Sequence, residues 1–355
     1  MTTGLGQADL DLVRGLVEIP SLSGREGDAA RWLVQRMAER GFRARVDDAG
    51  NPVGEIGDGP RHVVLLGHID TVPGEIPVRI EDGELVGRGA VDAKGPLSAF
   101  VSAASDAVPG LRVTVVGAVE EESPTSAGAR YWATRPAPDW CVIGEPSGWD
   151  GITVAYKGRL LEELTLTRAG RHGAAPGATI GEEALRLWER IRMTTAQEGE
   201  RAFDQLDVRL EGITAALGDG LEEVARLRVG YRIPPGMTSE GVERDLRSAA
   251  AAHDGEATVT LTRIGSEEPA RTKRTSDLAR AFARSITEAG GRPSFIAKSG
   301  TSDMNVLQPA WRCPMVAYGP GDSTYDHTPM ERLRLEDHAR AIAVLRGVLR
   351  RLAPR

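Results

Sequence analysis

With 355 residues, 41% of them apolar, the chain can bury one large core or two moderate ones. A formal net charge of −7 excludes a generic nucleic-acid surface, and no apolar run approaches the length of a membrane span. Cys141 and Cys313 are too few for a zinc cluster or a disulfide framework, and Met1-Thr2-Thr3-Gly4 begins no basic-then-apolar leader, so a reducing cytoplasm is expected.

In chain order, Ala8 to Glu18 carries Leu10, Leu12, Val13, Leu16 and Val17 at helical spacing, and Ile19-Pro20-Ser21-Leu22-Ser23-Gly24 ends it. A second amphipathic helix is predicted over 26–40, with Trp32, Leu33 and Met37 on one face and Gly41 at its C-terminal cap. Residues 42–47 and 52–56 read as a hairpin across Gly50-Asn51. The apolar run Val63 to Leu66 predicts a buried strand closed by Gly67. A small-residue helix over 96–107, a strand over 111–119, a short helix over 127–133 and a strand over 139–144 follow. This alternation predicts an α/β fold with a doubly wound, mainly parallel sheet.

The texture changes near Ala155. Strands at 159–168, 208–212, 226–231 and 256–264 accompany helices at 182–192 and 239–252, with no run of buried parallel strands. An inserted α+β domain, ferredoxin-like, is therefore expected over 155–264, with 1–154 and 265–355 forming the first domain. From Arg271 the first texture returns. A helix at 275–289, a polar loop Ser299-Gly300-Thr301-Ser302-Asp303, a strand ending at Tyr318 and a C-terminal helix at 336–352 are predicted.

The chemistry gathers at strand ends, where open α/β sheets form ligand crevices. His68 and Asp70 follow the strand closed by Gly67. Glu120-Glu121-Glu122 follows the strand ending at Val119, Glu145 follows Gly144, and His327 lies on a Gly/Pro loop beyond Tyr318. Asp92 sits between glycine-flanked segments, free to bridge two metals. Three adjacent negative charges beside an apolar strand are costly unless cations neutralise them. Two histidines and several carboxylates are what a pair of divalent cations needs. In His-x-Asp, Asp70 could hold the far ring nitrogen of His68.

Five motifs recur together: Gly-His-x-Asp-x-Val-Pro at 67–73, Gly-Arg-Gly-x-x-Asp-x-Lys-Gly at 87–95, the acidic run at 120–122, Gly-Glu-Pro at 144–146, and the late His327. Through them nearly the whole chain resembles the M20 family of dizinc metallopeptidases and amidohydrolases. Within it, the continuous stretches 66–78 and 87–96 look like the hydrolases that free lysine or ornithine from the γ-carboxyl of an amino-carrier protein's C-terminal glutamate.

The resemblance implies two divalent metal ions, Zn2+ or alternatively Co2+. His68 and Glu145 would hold one, Glu122 and His327 the other, with Asp92 between them, followed by a cis peptide. Glu121 would be the general base of amide hydrolysis by metal-activated water, Asp70 the partner of His68; a one-residue slip would give those glutamate roles to Glu120 and Glu121. Gly170-Arg171-His172-Gly173-Ala174-Ala175-Pro176 resembles the segment whose histidine, here His172, stabilises the oxyanion across a dimer interface. Arg232 would grip the substrate's α-carboxylate, and Ser299, Gly300 and Thr301 would contact substrate. The inserted domain would then serve as lid and homodimer contact. Expected partners are the lysine- or ornithine-bearing carrier and a second copy, with no nucleic acid and no membrane. The alternatives are a small-molecule N-acyl amino acid deacylase and, from another class, a metal-free binding protein on the same fold.

Overall fold

The strand Arg61–His68 has buried side chains on both faces from Val63 onward, the mark of a strand inside a parallel sheet. The computed structural model, which describes residues 4–172, 174–217 and 221–354, places it in a nine-stranded sheet. Four strands at the centre run parallel in the order Leu111–Ala118, Arg61–His68, Trp140–Gly144, Met315–Ala317. Antiparallel strands flank them: Pro52–Ile56 and Arg43–Val46 on one side, Gly151–Tyr156 on the other. The helix Lys94–Ala104 is buried along its whole length, because small side chains let it lie between the central strands and the C-terminal helix Leu335–Leu352. Among the described residues, no helix is long and apolar enough to cross a membrane.

Backbone contacts divide the chain into two compact units. The first comprises Met1–Ala155, Arg271–Ala297 and Ser302–Arg355. The second comprises Tyr156–Ala270 and Lys298–Thr301 and holds an antiparallel sheet in the order Asp207–Leu217, Glu222–Ile233, Gly158–Ala169, Thr258–Glu267. Two amphipathic helices, Ile180–Thr195 and Ser239–Ala251, pack together and against this sheet around Leu164, Leu187, Leu227 and Leu246. The chain order strand-helix-strand-strand-helix-strand and this sheet order are ferredoxin-like.

Several elements have no counterpart in the sequence reading. They are the strands Gly151–Tyr156 and Ser294–Lys298, the helix Asp303–Trp311, and a three-stranded sheet of Arg332–Arg334, Glu84–Val86 and Arg79–Glu81.

One core residue makes the first unit sensitive to acid. His338 lies in the C-terminal helix with no side-chain exposure, and neither ring nitrogen has a hydrogen-bond partner among the described residues. Burial pulls its pKa down to about 4. The folded pKa lies below the unfolded one, so this residue's contribution is nil above pH 6.5 and becomes a destabilisation as the pH drops from there towards about 4. The full loss is about 3 kcal/mol. Urea unfolding of His338→Leu at neutral pH and at about pH 4.5 is expected to show a smaller acid loss than the wild type, by about 2–3 kcal/mol. Equal losses in the two proteins would contradict this assignment.

Candidate metal centre

The sheet's register brings the strand-end residues together. Gly67 pairs with Gly117 on one neighbour and Gly144 on the other, so His68, the turn after Ala118, and Glu145 emerge side by side. The glycines are required by space: a Cβ on Gly144 would lie 2.9 Å from the Gly67 Cα and 2.9 Å from Phe100. Glu120 and His327 both adopt the left-handed region, at φ 59°, which turns the chain sharply. The acidic run consequently splits. Glu120 faces the Thr125 hydroxyl, while Glu121 and Glu122 are directed to the cluster. The peptide after Asp92 is cis.

Asp92 is the hinge of the arrangement. Its Oδ1 lies 3.1 Å from His68 Nε2 and its Oδ2 3.0 Å from His327 Nε2. His327 Nε2 is also 2.8 Å from Glu122 Oε1. Two overlapping sets result, each with donor atoms within 4.8 Å of one another: His68, Glu121, Glu122 and Asp92, Glu122, His327. Glu145 stands outside both sets and is buried at 8% exposure.

Asp70 meets His68 through both its main chain and its side chain. The His68 Nδ1 lies 3.0 Å from the Asp70 main-chain carbonyl and 3.5 Å from its carboxylate, so the carbonyl is the better-placed acceptor. The carboxylate itself accepts the main-chain N–H groups of Glu121 at 3.1 Å and Glu122 at 3.0 Å, and the Ser23 hydroxyl at 2.7 Å. It therefore anchors the main chain at both glutamates. Burial opposes its charge, but His68, Ser23 and the Glu122 N–H outweigh that and hold its carboxyl below the usual range.

The cluster gathers more carboxylates than imidazoles. Burial pushes the Glu121 carboxyl well up, aided by Glu145, Asp303 and Glu122. Hydrogen bonds to Asp92 and Glu122 raise His327 to about 10. Burial opposes a charged His68, yet Asp70 and Asp92 raise it. Two imidazoles and several oxygen donors fit borderline divalent cations such as zinc.

The other expected residues lie in the second unit. His172 is exposed, and its Nδ1 accepts the Ala174 N–H at 3.1 Å; Gly173 lies outside the described residues. Arg232, on the strand Glu222–Ile233, has a buried Nη1 without a hydrogen-bond partner among the described residues. Ser299 and Gly300 are exposed and Thr301 half-buried.

Three further carboxylates stand near these residues. Glu26 Oε1 accepts the Glu120 N–H at 3.1 Å. Buried Glu331 accepts from Val91 and Asp92. Asp303 is 2% exposed and pushed up to about 7 by burial, with Asp70 and Glu122 adding to the shift.

Comparison with known proteins places the chain in a family. The model of peptidase family M20/M25/M40 matches residues 64–351. The chain is 44% identical to the LysW-lysine hydrolase of Deinococcus radiodurans, covering 98% of this chain and 97% of the relative. It is 38% identical to a putative LysW-lysine/LysW-ornithine hydrolase of Pyrococcus furiosus, covering 97% of each. Among solved structures, an M20 family metallo-carboxypeptidase of Sulfolobus solfataricus superposes with a TM-score of 0.80 at 17% identity, covering 98% of this chain and all of that one. A Staphylococcus aureus tripeptidase gives 0.80 at 18% identity, covering 98% of each.

Proposed function

The chain belongs to peptidase family M20/M25/M40, and we propose that it frees lysine from the C-terminal glutamate of an amino-carrier protein in lysine biosynthesis. It is a metal-dependent hydrolase. The observation that carries the substrate is the full-length likeness to a protein named LysW-lysine hydrolase. Relatives named for both lysine and ornithine make ornithine the second substrate to test. The reading implies a cytoplasmic enzyme.

His68, Asp92, Glu122, Glu145 and His327 would hold two divalent cations, zinc in this reading with cobalt as a substitute, and the cations would supply an acidified water and a polarised carbonyl. Glu121 then takes a proton from the attacking water and delivers it to the nitrogen of the leaving amine. One C–O bond forms and the C–N amide bond breaks. The carrier's γ-carboxylate and free lysine are the products. Asp70 keeps Glu121 and Glu122 in place through their main-chain N–H groups. His172 is assigned to the oxyanion, supplied within a homodimer formed through the second unit. Arg232 is assigned to the α-carboxylate of the substrate; its buried guanidinium nitrogen without a partner supports that role.

The test is a comparison of kcat/KM for a carrier–γ-glutamyl-lysine conjugate, N-acetyl-lysine and N-acetylornithine. The conjugate is expected to lead by on the order of 100-fold or more, because contacts remote from the scissile bond raise transition-state binding. Faster turnover of the free N-acyl amino acids would move the enzyme to small-molecule deacylation.

A further inference from the structure

The metal-ligating side chains come from separate loops, and something must fix the distance between them. Asp92 and His327 are far apart in sequence, yet their side chains meet at 3.0 Å. Between their loops lies Glu331, with no side-chain exposure. Its Oε1 accepts two main-chain N–H groups, from Val91 at 2.9 Å and from Asp92 at 3.1 Å. Its Oε2 accepts from Arg88 Nη1 at 2.8 Å. Arg88 in turn donates to the Thr328 carbonyl at 3.3 Å, next to His327, and through Nε to the Gly74 carbonyl at 3.0 Å. The main chain repeats the link: Gly87 N–H donates to the Glu331 carbonyl at 3.3 Å, and Arg332 pairs with Val86 in the three-stranded sheet.

We infer that the Arg88–Glu331 pair is a positioning device that sets the spacing of Asp92 and His327, and so the affinity for the second of the two cations. The inference rests on the two-cation reading of the site and deepens it. Glu331 touches neither substrate nor cation in this account. It acts by fixing the main-chain amide of Asp92 while Arg88 fixes the carbonyl beside His327. A carboxylate is required because three donors converge on it, one of them a guanidinium, and a charged acceptor binds such donors more strongly than a neutral one. The first cation is less dependent on the brace, since His68 and Glu145 sit at the ends of adjacent central strands that the brace does not touch.

Glu331→Gln separates the two halves of the device. Its amide oxygen still accepts from Val91 and Asp92, but its NH2 faces Arg88, donor against donor. Arg88→Met removes the guanidinium and leaves Glu331 with its two amide donors.

The experiment strips wild type and both variants of metal, titrates each with Zn2+ by calorimetry, and repeats the titration with Co2+ followed by visible absorption. Circular dichroism and thermal melting check the fold. Wild type is expected to take two equivalents. Glu331→Gln is expected to keep the first affinity within about threefold and to weaken the second by about 10- to 100-fold, with the cobalt absorption of that site lost at stoichiometric addition. Arg88→Met is expected to shift the second affinity in the same direction by about 10-fold, and carries the test if Glu331→Gln melts too early to titrate. Two equivalents bound at wild-type affinity by both variants, with unchanged cobalt spectra, would overturn the inference. A wild-type chain taking fewer than two equivalents would overturn the two-cation reading and the inference with it.

Discussion

Replacing Glu121 with glutamine is expected to lower kcat on the carrier–lysine conjugate by about 100- to 10,000-fold, or about 3–5 kcal/mol, while cation binding changes little. The substitution keeps the shape of the side chain and its main-chain N–H bond to Asp70. It removes the carboxylate proposed as the proton acceptor. Burial and the carboxylates of Glu145, Asp303 and Glu122 push the Glu121 carboxyl well up. Bound cations would oppose that shift. The neighbouring Glu120 provides the control. Its carboxylate faces Thr125 rather than the cluster, so Glu120→Gln should retain kcat within a few-fold. Steady-state kinetics and a bound-metal assay on both variants decide between the two registers of the acidic run. A severe Glu120→Gln beside a mild Glu121→Gln would shift the roles back by one residue.

Removal of divalent cations is expected to reduce turnover by at least about 1,000-fold and to lower the melting temperature without unfolding the chain. Hydrogen bonds of His327 to Glu122 and Asp92 and of His68 to Asp92 tie the loops of the cluster together. Those contacts hold the loops in place but cannot activate water. A cation present at 1,000 times its dissociation constant adds about 4 kcal/mol per site to the folded state. Each imidazole must give up its proton to bind, so loading releases protons and affinity weakens as the pH falls. A chelated chain that melts at the same temperature and takes up cations without proton release would be inconsistent with this cluster as the binding site.

The parts of the fold legible in the sequence are those with a strong local signal. Val63 to Leu66 and the run ending at Val119 announce buried strands because nearly every position is apolar, Thr114 being the exception from Val113 onward, and their successors His68 and Glu120-Glu121-Glu122 stand out against that background. The helix Asp303–Trp311 was hidden by its brevity and by Pro309, although Ser302 and Asn305 form a capping box at its start. The strands Arg79–Glu81 and Glu84–Val86 are too short for periodicity; the clue was Asp82-Gly83 between them, both with positive φ, the usual hairpin-turn pair. Gly151–Tyr156 runs antiparallel to Met315–Ala317, and such a pairing leaves no local trace. At the site, the motif residues could be named from spacing, but their supports could not. Glu26 and Glu331 look like solvated acids in the chain, and only the packed structure shows them accepting main-chain N–H groups from Glu120, Val91 and Asp92. Whether Asp70 presents its carboxylate or its carbonyl to His68 depended on where the Glu121 and Glu122 amides fell.

The most direct measurement titrates zinc back into the chelated protein and reads bound metal and hydrolysis of the carrier–lysine conjugate in the same samples. The account predicts no turnover without metal and full turnover as the second equivalent binds, with free lysine and the intact carrier as the only products. Undiminished hydrolysis by the metal-free chain, or two bound equivalents with no lysine released, would contradict it.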